Sequence, residues 1–136
     1  MAEWGKDAAS TYERVFSVDR SVLVVEDDEG LLETLQDLLE MEGYHVILAH
    51  NGIEALKTLE TQTPAVILLD LRMPRMDGKA FAREAHRQPR LRSLHIIVMT
   101  ANLYARQTVE DMGVDDFVAK PFDVNELLDK IELALR

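Results

Sequence analysis

Between Ser21 and Arg136, short β-branched runs alternate five times with segments of helical period, and this alternation limits the possible folds more than any other feature. Val22-Leu23-Val24-Val25 is continuously apolar, as in a strand buried on both faces. Leu31, Leu32, Leu35, Leu38, Leu39 and Glu42 then recur at helical spacing, and Gly43 is placed to end that helix. His45 to Ala49 reads as a second strand. Asn51 is positioned to cap a helix running to about Glu60, with Glu54 three residues on as its capping-box partner. Pro64 breaks the chain before a third strand, Ala65 to Leu69. A helix from Gly78 to about Arg87 stops before Pro89. His95 to Met99 is a fourth strand, Leu103 to Met112 a fourth helix ended by Gly113, and Asp116 to Ala119 a fifth strand. Leu127, Leu128, Ile131, Ala134 and Leu135 mark one face of a last helix.

Strands and helices joined by short connections imply a parallel sheet with helices on both faces, an α/β fold of (βα)5 type. Right-handed crossovers leave few strand orders. The flavodoxin-like doubly wound order 2-1-3-4-5 is expected, with ligands at the carboxyl ends of the first and third strands, where the winding reverses. The domain is expected over 21–136. Residues 1–20 stand outside the pattern as an N-terminal extension, either a tail or a short helix with Ala8, Tyr12, Val15 and Phe16 as its apolar stripe.

Composition narrows the function classes. With no cysteine, disulfides and thiolate metal sites are excluded. A net charge of −10 repels nucleic acid, so direct binding to it is not expected. No apolar run reaches the ~20 residues of a membrane span. Met1 to Ser10 lacks the basic and apolar regions of a signal peptide. The expectation is a soluble, cytoplasmic domain with no membrane contact.

Polar groups follow the apolar strands directly. Glu26-Asp27-Asp28-Glu29 follow the first, Asp70 the third, Thr100 the fourth and Lys120 the fifth. Taken singly, each has an ordinary explanation: helix-start acids, a cap, a solvated lysine. In the expected strand order they converge on one rim. Carboxylates held together repel, and a hard divalent cation relieves that repulsion. An all-oxygen set favours Mg2+, which retains waters and accepts phosphate oxygens. A carboxylate beside such a cation can attack phosphorus and form an acyl phosphate. Catalysis is then mostly positioning and charge neutralisation, and no general base is required, because the nucleophile is already ionised.

Four motifs carry a resemblance that covers about Ser21 to Arg136. Val22-Leu23-Val24-Val25-Glu26-Asp27-Asp28 resembles the opening of bacterial response-regulator receivers, of the CheY-like superfamily. Ile67-Leu68-Leu69-Asp70-Leu71-Arg72-Met73-Pro74-Arg75-Met76-Asp77-Gly78 resembles their phosphoacceptor loop. Ile97-Val98-Met99-Thr100-Ala101 and Phe117-Val118-Ala119-Lys120-Pro121-Phe122 resemble their last two motifs, in family order and at family spacing. The resemblance implies that Asp70 accepts a phosphoryl group from a histidine kinase or phosphotransfer protein. Asp27 would ligate Mg2+ directly, Glu26 mainly through water, and the Arg72 backbone carbonyl would be a further ligand beside Asp70. Thr100 and Lys120 would hold phosphoryl oxygens, and the Lys120–Pro121 peptide would be cis. Phe117 stands at the family's switch aromatic, where many members carry Tyr, so no hydroxyl readout is available. Asp28 and Asp77 match the motif but have simpler readings, as a helix-start acid and a turn residue. The activity would be that of a switch acting on itself rather than an enzyme, changing contacts with a downstream protein target.

Two alternatives share parts of the pattern. A flavin carrier of this fold wants a hydroxyl- and Gly-rich phosphate loop after the first strand, where four acids stand. A haloacid-dehalogenase-type phosphatase usually carries a second Asp two residues after the nucleophile, where this chain has Arg72. No effector domain is recognisable, so a stand-alone receiver and a piece of a larger regulator both remain open. Arg106 with Glu126, and in part Asp115, Asp116 and Lys130, resemble the charge set through which receivers of winged-helix regulators form homodimers. Met112 and the missing basic residue leave that set incomplete. Arg83, His86, Arg87, Arg90 and Arg92 form a basic stretch, read either as a solvated helix face and loop or as a docking patch for an acidic partner.

Overall fold

The computed structural model describes residues 20–72, 76–101 and 105–136. Five parallel strands, β1 (Ser21–Val25), β2 (His45–Ala49), β3 (Val66–Asp70), β4 (His95–Thr100) and β5 (Asp116–Ala119), form one sheet in the order β2-β1-β3-β4-β5. This is the expected doubly wound order. The helices between and after them are α1 (Glu29–Met41), α2 (Gly52–Thr61), α3 (Gly78–His86), α4 (Ala105–Met112) and α5 (Val124–Ala134), with a short 3-10 turn at Pro89–Leu91. The expected first turn of α4 at Leu103 and the N-terminal stripe Ala8, Tyr12, Val15 and Phe16 lie outside the described residues.

Alternation along the strands builds two cores. Leu23, Val25, Ile67, Leu69, Ile96 and Val98 face α2 and α3, packing on Ala55, Leu59, Phe81 and Ala85. Their neighbours Val22, Val24, Val66, Leu68, Ile97 and Met99 face the other way, onto Leu32, Leu35 and Leu39 of α1 and Leu127 and Ile131 of α5. Successive strand side chains point to opposite faces, so a continuously apolar strand feeds both layers at once.

Local chemistry sets where the helices start and stop. Asp28, Asn51, Asp77 and Asp123 each turn a side-chain oxygen onto a backbone N–H of the first turn of α1, α2, α3 and α5. Gly43 and Gly113 follow α1 and α4 with φ of +88° and +67°, a backbone that side chains with a Cβ rarely adopt. The capping box at Asn51 forms only halfway. Asn51 Oδ1 accepts from Glu54 N–H at 2.9 Å, but Glu54 Oε1 accepts from His50 N–H at 3.2 Å and lies 3.0 Å from His50 Nδ1.

Two strands also end later than the sequence pattern suggests. Ala65 N–H donates to the Ser21 backbone oxygen and side chain, so it precedes the β3 ladder, which runs on through Asp70 opposite Met99. Thr100 is the last residue of β4, opposite Ala119. Asp70 and Thr100 are therefore held by the sheet itself and do not lie in the loops after it.

Candidate functional site

Four strand ends meet at one rim. Glu26 follows β1, and its N–H donates to the Ala49 carbonyl at 3.0 Å, which extends the sheet by one bond. Its side chain is turned inward and is 1% exposed. Asp27 is exposed, but its carboxylate comes within 4.8 Å of those of Glu26 and Asp70. Asp70, 5% exposed, accepts from the Arg72 N–H at 3.3 Å. Lys120 is fixed by its backbone N–H on the Thr100 carbonyl at 2.9 Å and is followed by a cis peptide to Pro121, as the motif implied. Its ammonium bridges two acids, lying 2.9 Å from Glu26 Oε1 and 3.3 Å from Asp70 Oδ1.

The electrostatics follow from burial. Burial pushes Glu26 up, the Lys120 hydrogen bond opposes, and the neighbouring Asp70 adds to the rise, so its carboxyl reaches about 7. For Lys120, burial favours loss of the proton. The Glu26 hydrogen bond and the Asp70 and Glu26 charges outweigh that, and its pKa ends above the ordinary 10.5. A single ammonium thus faces two buried carboxylates and a third at the rim. That excess of oxygen donors, all hard, fits a small divalent cation such as Mg2+.

Above these groups lies an open cleft of about 520 Å3, walled by Asp70, Arg72, Thr100 and Lys120 together with Asp77, Lys79 and Ala101. Asp28 takes its simpler role at a helix start, accepting from Leu31 N–H at 3.1 Å, whereas Asp77, expected as a turn residue, is the N-cap of α3 and accepts from Ala80 N–H at 2.9 Å. The sheet brings together Glu26, Asp27, Asp70, Thr100 and Lys120. Arg72 joins them through its backbone, and its side chain is exposed. The Lys120–Glu26 bond was not expected, and nothing local in the sequence announces it. Lys79 and Ala101 were also missed as cleft residues. Ala101 follows Thr100 in a motif already singled out, whereas Lys79 reads as one more helix lysine. The phosphoacceptor-loop residues Met73, Pro74 and Arg75 lie outside the described residues.

At the other end of β5, Lys130 lies 4.8 Å from the centre of the Phe117 ring and donates to the Phe117 carbonyl. It also pairs with Asp116 at 3.1 Å and Glu126 at 3.5 Å. Asp115 Oδ2 accepts from the Ile96 N–H at 2.8 Å. No helix among the described residues is long and apolar enough to cross a membrane.

Comparison with known proteins gives one consistent result. The family model for the response regulator receiver domain matches residues 22–132. Response regulator MprA of Mycobacterium ulcerans (strain Agy99) is 40% identical over 121 residues, covering 85% of this chain and 50% of the relative. The chain therefore spans about half the length of the curated relatives it matches. Among solved structures, the receiver domain of a sensor histidine kinase from Pseudomonas aeruginosa PAO1, with magnesium in its active-site cleft, superimposes with a TM-score of 0.79. It is 33% identical, and the match covers 85% of this chain and 97% of that one. Response regulator TrrA from Thermotoga maritima, in complex with Mg(2+)-BeF, gives 0.77 at 32% identity, covering 85% and 99%.

Proposed function

The chain belongs to the response regulator receiver family, and on that premise we propose that it accepts a phosphoryl group on Asp70 from a histidine kinase or phosphotransfer protein. One observation carries the assignment: Asp70 is a nearly buried carboxylate at the end of a central strand, with an ammonium at 3.3 Å and two further carboxylates within 4.8 Å. Glu26, Asp27, Asp70 and the Arg72 carbonyl would hold Mg2+. When bound, the ion supplies positive charge against the oxygens of the transferring group.

The residues do the rest by position. An Asp70 carboxylate oxygen forms the new bond to phosphorus while the bond from phosphorus to the donor's nitrogen or oxygen breaks, its electron pair leaving with the donor. Lys120 has three N–H donors; Glu26 and Asp70 engage it now, and its charge is placed to hold a phosphoryl oxygen. Thr100, at the end of β4, lines the same cleft and offers its hydroxyl to another. The chain acts on its own side chain and on no separate substrate, so we read it as a switch whose output is a changed set of protein contacts. Repacking of the Phe117 ring, now held under Lys130, is the proposed start of that change. A cytoplasmic place belongs to the same reading. So does homodimerisation through α4, β5 and α5, although Lys130, Asp116, Asp115 and Glu126 are all engaged within the chain, so that Arg106 of a second copy would compete with Lys130 for Glu126.

The test is labelling by acetyl phosphate with Mg2+, read by intact mass. Wild type should gain one phosphoryl group and Asp70→Asn none, and EDTA should abolish the gain. Equal labelling of both proteins, or labelling that survives EDTA, overturns the assignment.

A further inference from the structure

The chain is acidic, but its charge is segregated. Residues 78–92 carry five cations, Lys79, Arg83, Arg87, Arg90 and Arg92, against the single acid Glu84. This stretch is therefore +4, while the remaining 121 residues are −14. The structure divides the cations by task. Arg90 reaches the Leu59 carbonyl near the end of α2, and Arg92 Nε donates to the His86 carbonyl at the end of α3. Both are spent on helix ends, where cations satisfy unpaired carbonyls.

The other three are not spent in that way. Lys79, Arg83 and Arg87 stand four residues apart, so they rise one above another along one face of α3 and the helical-conformation residue Arg87 that caps its end. All three are exposed. With His86 they form one wall of a groove of about 360 Å3 whose opposite wall is Asp111 and the half-buried Met112 of α4. Lys79 also lines the cleft over Asp70, so the groove is continuous with the rim of the phosphoacceptor site.

We propose that this α3–α4 groove docks an acidic segment of a partner protein, with carboxylates at helical spacing along the Lys79-Arg83-Arg87 row and an apolar side chain on Met112. Charge complementarity argues for this occupant. The row spans ~12 Å of helix, the span of acids at i, i+4 and i+8 on an apposed helix. A nucleic acid would meet the −14 of the rest of the chain. A short acidic segment stays within a Debye length of the row, ~8–10 Å at ordinary salt. Glu84, 3.0 Å from Arg87, offsets part of the row's charge for any anion, but a single compact phosphate cannot engage three cations spread over ~12 Å at once, whereas spaced carboxylates can.

Two helical peptides of ~15 residues and identical composition test this. One carries Glu at i, i+4 and i+8 around a central Leu, and the other carries its three Glu side by side. Inorganic triphosphate is the small-anion arm. The spaced peptide should bind the full chain more weakly as salt rises, shifting amide resonances of residues 79–87 and 111–112. The clustered peptide should bind several-fold less tightly. Arg83→Glu with Arg87→Glu should weaken the spaced peptide by about tenfold or more. The neutral pair Arg83→Gln with Arg87→Gln should cause a smaller loss in the same direction, and Lys57→Glu on α2 should cause none. Acetyl phosphate labelling of Asp70 should persist in all three variants, which separates this proposal from the phosphoacceptor assignment. Equal binding of the two peptides, no loss in the arginine variants, shifts confined to other surfaces, or triphosphate binding at the same residues as tightly as the spaced peptide would each overturn it.

Discussion

A Cβ at Gly78 would lie 2.8 Å from the Asp70 carbonyl oxygen, 2.9 Å from Leu71 Cα and 3.1 Å from Leu71 Cδ2. Ordinary contact begins near 3.4 Å, so the overlap is about 0.6 Å against backbone atoms that cannot swing aside. Asp70 is registered opposite Met99 in the sheet, Leu71 N–H reaches the Met99 carbonyl at 3.4 Å, and Gly78 N–H donates to the Leu71 carbonyl at 3.2 Å. Relief therefore requires the start of α3 to move away from the end of β3, opening the loop between them. Overpacking of this kind costs ~1–3 kcal/mol. For a domain of this size ~2 kcal/mol lowers the melting temperature by about 5–10 °C. Because the displaced peptide carries Asp70, labelling by acetyl phosphate should also slow by ~10-fold or more. Gly30→Ala is the control. Its Cβ meets nothing nearer than Asp28 Oδ1 at 3.4 Å, and Gly-to-Ala inside a helix gains ~0.5–1 kcal/mol. Thermal melts by circular dichroism and labelling rates by mass check both variants. A Gly78→Ala protein that melts and labels like wild type would refute the close-packing argument.

Four further expectations follow from the site and the core. Glu26 titrates near 7 and must be ionised to help bind a cation, so the Mg2+ dissociation constant should weaken about tenfold from pH 8 to pH 6; a flat calorimetric profile counts against it. Without metal the sign reverses. The folded pKa of Glu26 lies above 4.5, so its stabilising contribution is complete below that pH and is lost as pH rises through about 7. In EDTA, Glu26→Gln should therefore gain melting temperature over wild type between about pH 5 and pH 8. Arg72→Asn should speed loss of the acyl phosphate, because Arg72 lines the cleft and its long, exposed cationic side chain is within reach of a phosphoryl group on Asp70; unchanged or slower loss would show that the side chain does not cover that group. Tyr44→Phe removes a 2.6 Å hydrogen bond to Glu132 and should cost ~1 kcal/mol while leaving labelling intact; an unchanged melt would show that the bond contributes nothing net.

The chain's short, continuously apolar β-branched runs and its helical-period stretches dictate β1 to β5 and the helices between them, because those patterns are local to each segment. Asp28 and Asn51 announce helix starts for the same reason: a cap acts within three residues. Placing Asp70, Thr100 and Lys120 next to strands was enough to bring them to one rim once the strand order was right, since a doubly wound parallel sheet puts all its carboxyl ends on one side. What no local pattern contains is how two carboxylates 44 residues apart in the chain, Glu26 and Asp70, divide one ammonium between them. Lys120 looks like a phosphate ligand in the sequence; in the fold it lies between Glu26 and Asp70, and burial of Glu26 raises that acid to about 7. The basic stretch divides in the same way. Arg90 and Arg92 read the same as Arg83 and Arg87, yet the first pair closes helix ends while the second lines a groove against α4. Charge is a property of the residue, but the partner that charge meets depends on where distant helices pack, and packing is settled only when the whole sheet has formed.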